Sequence, residues 1–204
     1  MTSATASNPT TPSPATRSPA KIRTAAPATV FGIRWLRGAA VVRVLFGLVW
    51  GIDALFKWQP GFVNGQTLHD ELGGASHVST PVVHQLMQFW NTVGLADPSA
   101  FAHGIAILES LIAISLIAGL FSNVGFIGSA LLSLGIWTGA EGLHLPWFRP
   151  GQTDLGPSVG YIFASLALFF AAAGAVWSVD ALIGPRLGRL RWLASPLVPL
   201  AQRG

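Results

Sequence analysis

No cysteine occurs in this chain of 204 residues. That excludes a disulfide framework, a thiol redox centre and any Cys-ligated iron–sulfur or zinc site within it. Charge is also scarce. Lys, Arg, Asp and Glu make up 10% of the residues, where an ordinary soluble domain carries about 25%. A soluble fold of this size could not easily cover its surface with so few charges. The histidines, His69, His77, His84, His103 and His144, form no HxxxH or HxH pair, and none sits at mid-depth in an apolar run. Neither metal nor haem is expected. No phosphate loop, nucleophile elbow or zinc signature is present.

What the chain has instead is apolar sequence. Hydrophobic residues make up 51% of it, and the mean hydropathy is +0.54. Four long apolar segments stand out: Ala39 to Lys57, Phe101 to Phe121, Val124 to Ala140 and Pro157 to Val179. Each is long enough for a helix crossing a hydrocarbon core of ~30 Å, and lipid leaves backbone groups no partner but the helix itself. The expected fold is an all-α integral membrane protein, a four-transmembrane-helix bundle.

Basic residues are absent from Pro60 to Ala100. Arg17, Lys21, Arg23, Arg34, Arg37 and Arg43 precede or open the first run, and Arg186, Arg189, Arg191 and Arg203 follow the last. This asymmetry predicts a multi-pass protein of the plasma membrane with both termini cytoplasmic. The pI near 10.7 is then a signature of topology, and no nucleic-acid partner is expected. Residues 1–34 read as a disordered cytoplasmic tail: they are rich in Ser, Thr, Pro and Ala, and no signal-peptide h-region follows their first basic residues. Residues 35–180 form the membrane domain, and residues 181–204 a basic cytoplasmic tail whose RLGRLRWL stretch suits the membrane interface.

Small residues recur at helix-packing spacing. Gly47 and Gly51 make a GxxxG pair, and Gly125, Ser129 and Ser133 repeat every four residues, as do Ala167, Ala171 and Ala175. The short link at Ser122 and Asn123 makes the second and third runs antiparallel neighbours. Within the long outer loop, STPVVHQLMQFWNTVG reads as an extracytoplasmic amphipathic helix, with Thr80 as cap, Pro81 at the first turn and Gly94 at the end.

The candidate chemistry lies where charge meets these apolar runs. Asp53 and Lys57, at i,i+4 spacing near the outer end of the first run, share a face and can pair; the bland alternative is that both snorkel to headgroups. Glu109 lies about eight residues into the second run, or ~12 Å deep. An intramembrane acid is functional by default. Glu141 and Asp154 stand at run ends, where a solvated role is the alternative. Trp50, Trp137, His144, Arg149 and Tyr161 supply aromatic walls and polar edges for a substrate. Every run thus contributes a polar group at one depth, which predicts a shared cavity.

Arg43, Gly47, Trp50, Asp53 and Lys57, then Glu109 before SLIAISLIAGLFS, then Trp137, Glu141 and Gly142, then GQTDLG with Tyr161, resemble the DoxX/DoxD family of small four-helix membrane proteins. The resemblance spans Arg34 to Trp177. It implies a redox-associated subunit that links an extracytoplasmic oxidation, of thiosulfate in one branch, to the quinone pool. It also implies quinone as cofactor and a second protein subunit as partner beside the lipid bilayer. It supplies no catalytic residues. The alternatives are a non-catalytic membrane partner that recruits or stabilises another protein, and a small-molecule- or lipid-binding or transport bundle.

Overall fold

The computed structural model describes residues 30–75, 81–144 and 155–196. Among them there are helices and turns and no strand. Helix α1 spans Val30–Lys57. Two short outer helices follow, α2 at Pro60–Val63 and α3 at Gln66–Ala75. Then come α4 at Pro81–Gly94, α5 at Pro98–Ala118, α6 at Ser122–Thr138, α7 at Pro157–Phe170 and a final short α8 at Asp180–Ile183. Short 3-10 pieces cover Gly142–His144, Gly184–Arg186 and Gly188–Leu193.

Two helices, Gly32–Lys57 within α1 and Pro98–Ala118 (α5), are long and apolar enough to cross a membrane, and α6 and α7 are shorter apolar helices. Most of both long helices is not buried inside the protein. Val41, Val42, Leu45, Leu48, Val49, Ile52 and Leu55 form an exposed apolar stripe on α1, and Ile107, Leu108, Leu111 and Ile114 do so on α5. α1 packs against α5, and α6 against α7. Gly47 permits the first contact: a Cβ there would lie 2.8 Å from the Ile117 backbone nitrogen of α5. Gly51 has more room, with Ala113 Cβ at 3.8 Å from the same virtual position. Ser129 and Ser165 link α6 to α7 through a 2.7 Å hydroxyl pair. A central core gathers Trp50, Ile112, Leu116, Phe126 and Leu168.

Local chemistry sets the helix limits. Asp97 caps α5 by accepting from the Ala100 N–H at 3.0 Å, with Pro98 in the first turn, and Gly119 ends the helix in the left-handed conformation at φ 65°. Three residues later α6 begins, so the short link joins neighbouring helices as its length requires. Thr80 lies outside the described residues; α4 starts at Pro81 and includes Gly94. Its Trp90 lies over α6, where the indole donates to Thr138 Oγ1 at 3.1 Å and the ring faces Gly135 and Gly139. The α2–α3 segment is helical where no element was expected. Its Phe62, Leu68 and Leu72 form a second apolar cluster with Ala102 of α5.

Three boundaries differ from the sequence reading. α1 begins at Val30, inside the stretch read as tail. The final run is apolar to Val179, yet α7 stops at Phe170 and the chain turns, with Ala172 and Trp177 at positive φ. The physical reason is Arg43 of α1, fully buried. It donates to the Ala173 carbonyl at 3.0 Å and the Trp177 carbonyl at 2.8 Å, satisfying carbonyls of this non-helical stretch from outside. The third difference is at the C-terminal end, which is partly built in. Asp180 is buried and accepts from the N–H groups of Phe121 at 2.7 Å, Ser122 at 2.8 Å and Ser195 at 3.2 Å. It therefore caps α6 from a distant part of the chain. Asn123 holds the Trp192 and Ala194 carbonyls.

Candidate functional site

Four helices meet around a cavity of about 290 Å³ lined by Trp50, Asp53, Phe56, Lys57, Glu109, Ser133, Ile136, Pro157, Ser158 and Tyr161. α1 supplies the first four residues, α5 supplies Glu109, α6 supplies Ser133 and Ile136, and α7 supplies the rest. The shared polar cavity expected from the depth of these groups is thus assembled from Asp53, Lys57, Glu109, Trp50 and Tyr161.

Hydrogen bonding divides the lining in two. Asp53 is engaged: Tyr161 OH donates to its Oδ2 at 2.8 Å. Tyr161 also stands edge-on to Trp50 at 5.2 Å between ring centroids, with Phe46 5.5 Å from the same tyrosine. Three other groups are open. Glu109 Oε2, Trp50 Nε1 and Ser133 Oγ are buried without a hydrogen-bond partner among the described residues. Each of these residues is 1% exposed. A buried polar group left unpaired costs about 1–3 kcal/mol. All three belong to residues that line one cavity: an indole donor, a hydroxyl and a carboxyl.

Lys57 does not pair with Asp53 as their spacing allowed. Among the described residues the two make no ion pair; Lys57 Nζ lies over the Phe62 ring, 4.3 Å from its centroid. The i,i+4 rule places two side chains on one face but does not decide which neighbour each prefers. Here a tyrosine from α7 and an aromatic face from α2 draw the pair apart.

Glu141 follows α6 and reaches the start of α7, accepting from Ser158 Oγ at 2.6 Å and from the Ser158 N–H at 3.3 Å. It is a helix cap that borders the cavity through Ser158. Trp137 is not among the lining residues; its indole donates to the Leu155 carbonyl at 2.7 Å and ties down the chain entering α7. His144 closes a 3-10 turn. Arg149 and Asp154 lie outside the described residues.

Sequence reasoning missed Ser133 and Ser158 as lining groups. Ser133 carried a signal, its place in the small-residue repeat of α6, but that repeat reads as packing. It also missed Asp180 and the donor role of Arg43. Asp180 could have been noticed as a lone acid in an otherwise basic C-terminal segment. No family model, curated protein or solved structure matches this chain.

Proposed function

We propose that the protein is a four-span plasma-membrane protein of DoxX-like character that binds a quinone in the cavity among α1, α5, α6 and α7. We further propose that it serves as the membrane subunit of a quinone-linked oxidoreductase. The exposed apolar stripes of α1 and α5 support membrane embedding, because a soluble monomer rarely leaves so large an apolar surface bare. α6 and α7, apolar but short, complete the bundle beside them. The basic asymmetry of the sequence supports cytoplasmic termini, with α4 lying at the outer surface over the bundle.

The observation that carries the quinone reading is the set of buried, unpartnered polar atoms on Trp50, Glu109 and Ser133. A quinone ring offers carbonyl oxygens to the indole and hydroxyl donors, and Trp50 and Tyr161 give it flat walls. Reduction takes up two electrons and two protons. Of the titratable groups lining the cavity, Glu109 has a carboxylate oxygen without a partner among the described residues, and it is assigned the relay of both protons, one after the other, from the outer aqueous face. The electrons come from the oxidation of a sulfur substrate of the thiosulfate class on a second subunit at the outer face.

The test is saturable binding of a short-chain ubiquinone to the purified protein, read by quenching of tryptophan fluorescence. Wild type should bind, and Glu109→Ala and Ser133→Ala should each weaken binding about tenfold, the loss of one buried polar contact, whereas Glu109→Gln, which keeps size and hydrogen bonding, should still bind. Failure of well-folded wild type to bind any quinone overturns the reading.

A further inference from the structure

The cavity does not account for a second feature of the bundle. Between α1 and α7, on the side away from α5, runs a groove of about 460 Å³ whose lining includes Arg34, Trp35, Gly38, Ala164, Ala167 and Ala171. Its origin is in the sequence. The two helices meet where Phe46 and Trp50 pack on Tyr161. Toward the N-terminal end of α1 small residues dominate the facing positions, Gly38 and Ala39 on α1 and Ala164, Ala167 and Ala171 on the α7 side, with Val42 and Leu168 between them, and the space between the helices stays open. A Cβ built on Gly38 meets nothing within 4 Å.

The groove has a direction. Its floor is apolar from Phe46 to Gly38, and its cationic member, Arg34, stands at one end beside the exposed Trp35. From Arg34 to Phe46 is twelve helical residues, ~18 Å at 1.5 Å per residue. One leaflet of a hydrocarbon core of ~30 Å is about half that core. The groove therefore has the length of one acyl chain. A guanidinium and an indole mark the headgroup end, where such side chains sit at membrane surfaces. α7 stops at Phe170, and Ala171 just beyond it lines the same end of the groove as Arg34.

We infer that this groove is a binding site for one anionic phospholipid of the leaflet at the N-terminal end of α1, its acyl chain along Gly38, Ala164 and Ala167 and its phosphate on Arg34. The inference rests on the reading that these helices span a bilayer. It does not depend on the quinone cavity.

The experiment uses the full chain extracted from membranes in mild detergent and stripped of lipid. It is titrated with dioleoyl phosphatidylglycerol or dioleoyl phosphatidylcholine, and bound lipid is counted by native mass spectrometry. Wild type should retain phosphatidylglycerol about fivefold more tightly, the effect of one arginine near an anionic headgroup. Arg34→Gln should bring phosphatidylglycerol to the phosphatidylcholine level while leaving thermal stability unchanged. Gly38→Leu, which has room for its side chain, should displace both lipids. Equal retention of the two lipids by wild type, or a preference that survives Arg34→Gln, overturns the site. So does a wild-type dimer that Gly38→Leu splits with no change in bound lipid, since the groove is then covered by a second copy. A chain recovered without detergent in the soluble fraction overturns the membrane reading and the lipid site together; a membrane-bound chain with no lipid preference overturns the lipid site alone.

Discussion

The Tyr161 hydroxyl of α7 donates to Asp53 of α1 at 2.8 Å, and this is the polar link between the two helices at the level of the cavity. α1 and α7 are far apart in sequence and touch little elsewhere. Asp53 is thereby committed to a neutral donor, and Lys57 is left to the ring of Phe62.

The link predicts coupling between Tyr161 and Asp53. Tyr161→Phe and Asp53→Asn should each lower thermal stability in detergent. The double variant should be less destabilised than their sum by about 0.5–3 kcal/mol. Asp53→Asn and Lys57→Met should instead combine additively to within about 0.5 kcal/mol. Strong coupling between Asp53 and Lys57 would show that the two form an ion pair after all.

Arg43 should tolerate neither Met nor Lys. Two carbonyls of a non-helical segment depend on its two terminal nitrogens. Arg43→Met strands both and should cost on the order of 3 kcal/mol or more. A lysine offers one ammonium where a planar fork spans two acceptors, so Arg43→Lys should recover only part. Wild-type melting of Arg43→Lys would count against the two-carbonyl clamp.

Asp180 presents two carboxylate oxygens to separate backbone donors at the start of α6. Asp180→Asn keeps one acceptor oxygen and should destabilise by about 1–2 kcal/mol, in the range of a lost helix cap. Asp180→Ala should cost more. The readout is hydrogen exchange at the Phe121 and Ser122 amides, which should accelerate in both variants; unchanged exchange would remove Asp180 from the capping role.

The two glycines of the α1 pair should behave differently. Gly47→Ala drives a methyl into the α5 backbone at Ile117 and should destabilise by about 1–3 kcal/mol. Gly51→Ala has space and gains helix propensity of up to about 1 kcal/mol. Equal melting of the two variants would mean that α1 and α5 are not packed at Gly47.

Topology is open to a direct measurement. Gln66 and Arg189 are both exposed, on opposite ends of the proposed bundle. In intact cells an impermeant thiol reagent should label Gln66→Cys and spare Arg189→Cys. The reverse pattern would invert the orientation. Ser195, whose position after the last apolar run also recommends it for labelling, is buried and would report nothing.

The sequence alone determined the helical class, the apolar runs, the helix start at Pro81 and the common level along the helices at which Trp50, Asp53, Glu109 and Tyr161 stand. These follow from local rules: hydropathy, turn chemistry and the rise of a helix along its axis. Tertiary structure decided what those rules leave open. Hydropathy could not end α7 at Phe170, because the carbonyls freed there are satisfied by Arg43, more than a hundred positions away. Spacing put Asp53 and Lys57 on one face, but Tyr161 and Phe62 from other helices chose their partners. Trp137 and Glu141 carry the right chemistry at the right depth, yet their hydrogen bonds to Leu155 and Ser158 hold the entrance of α7 instead. Ser133 sat in a packing repeat and became a lining hydroxyl only when α6 turned that face to Glu109. A side chain's type and height are local properties, whereas its partner is set by which helices meet, and that is fixed by the packing of the whole chain.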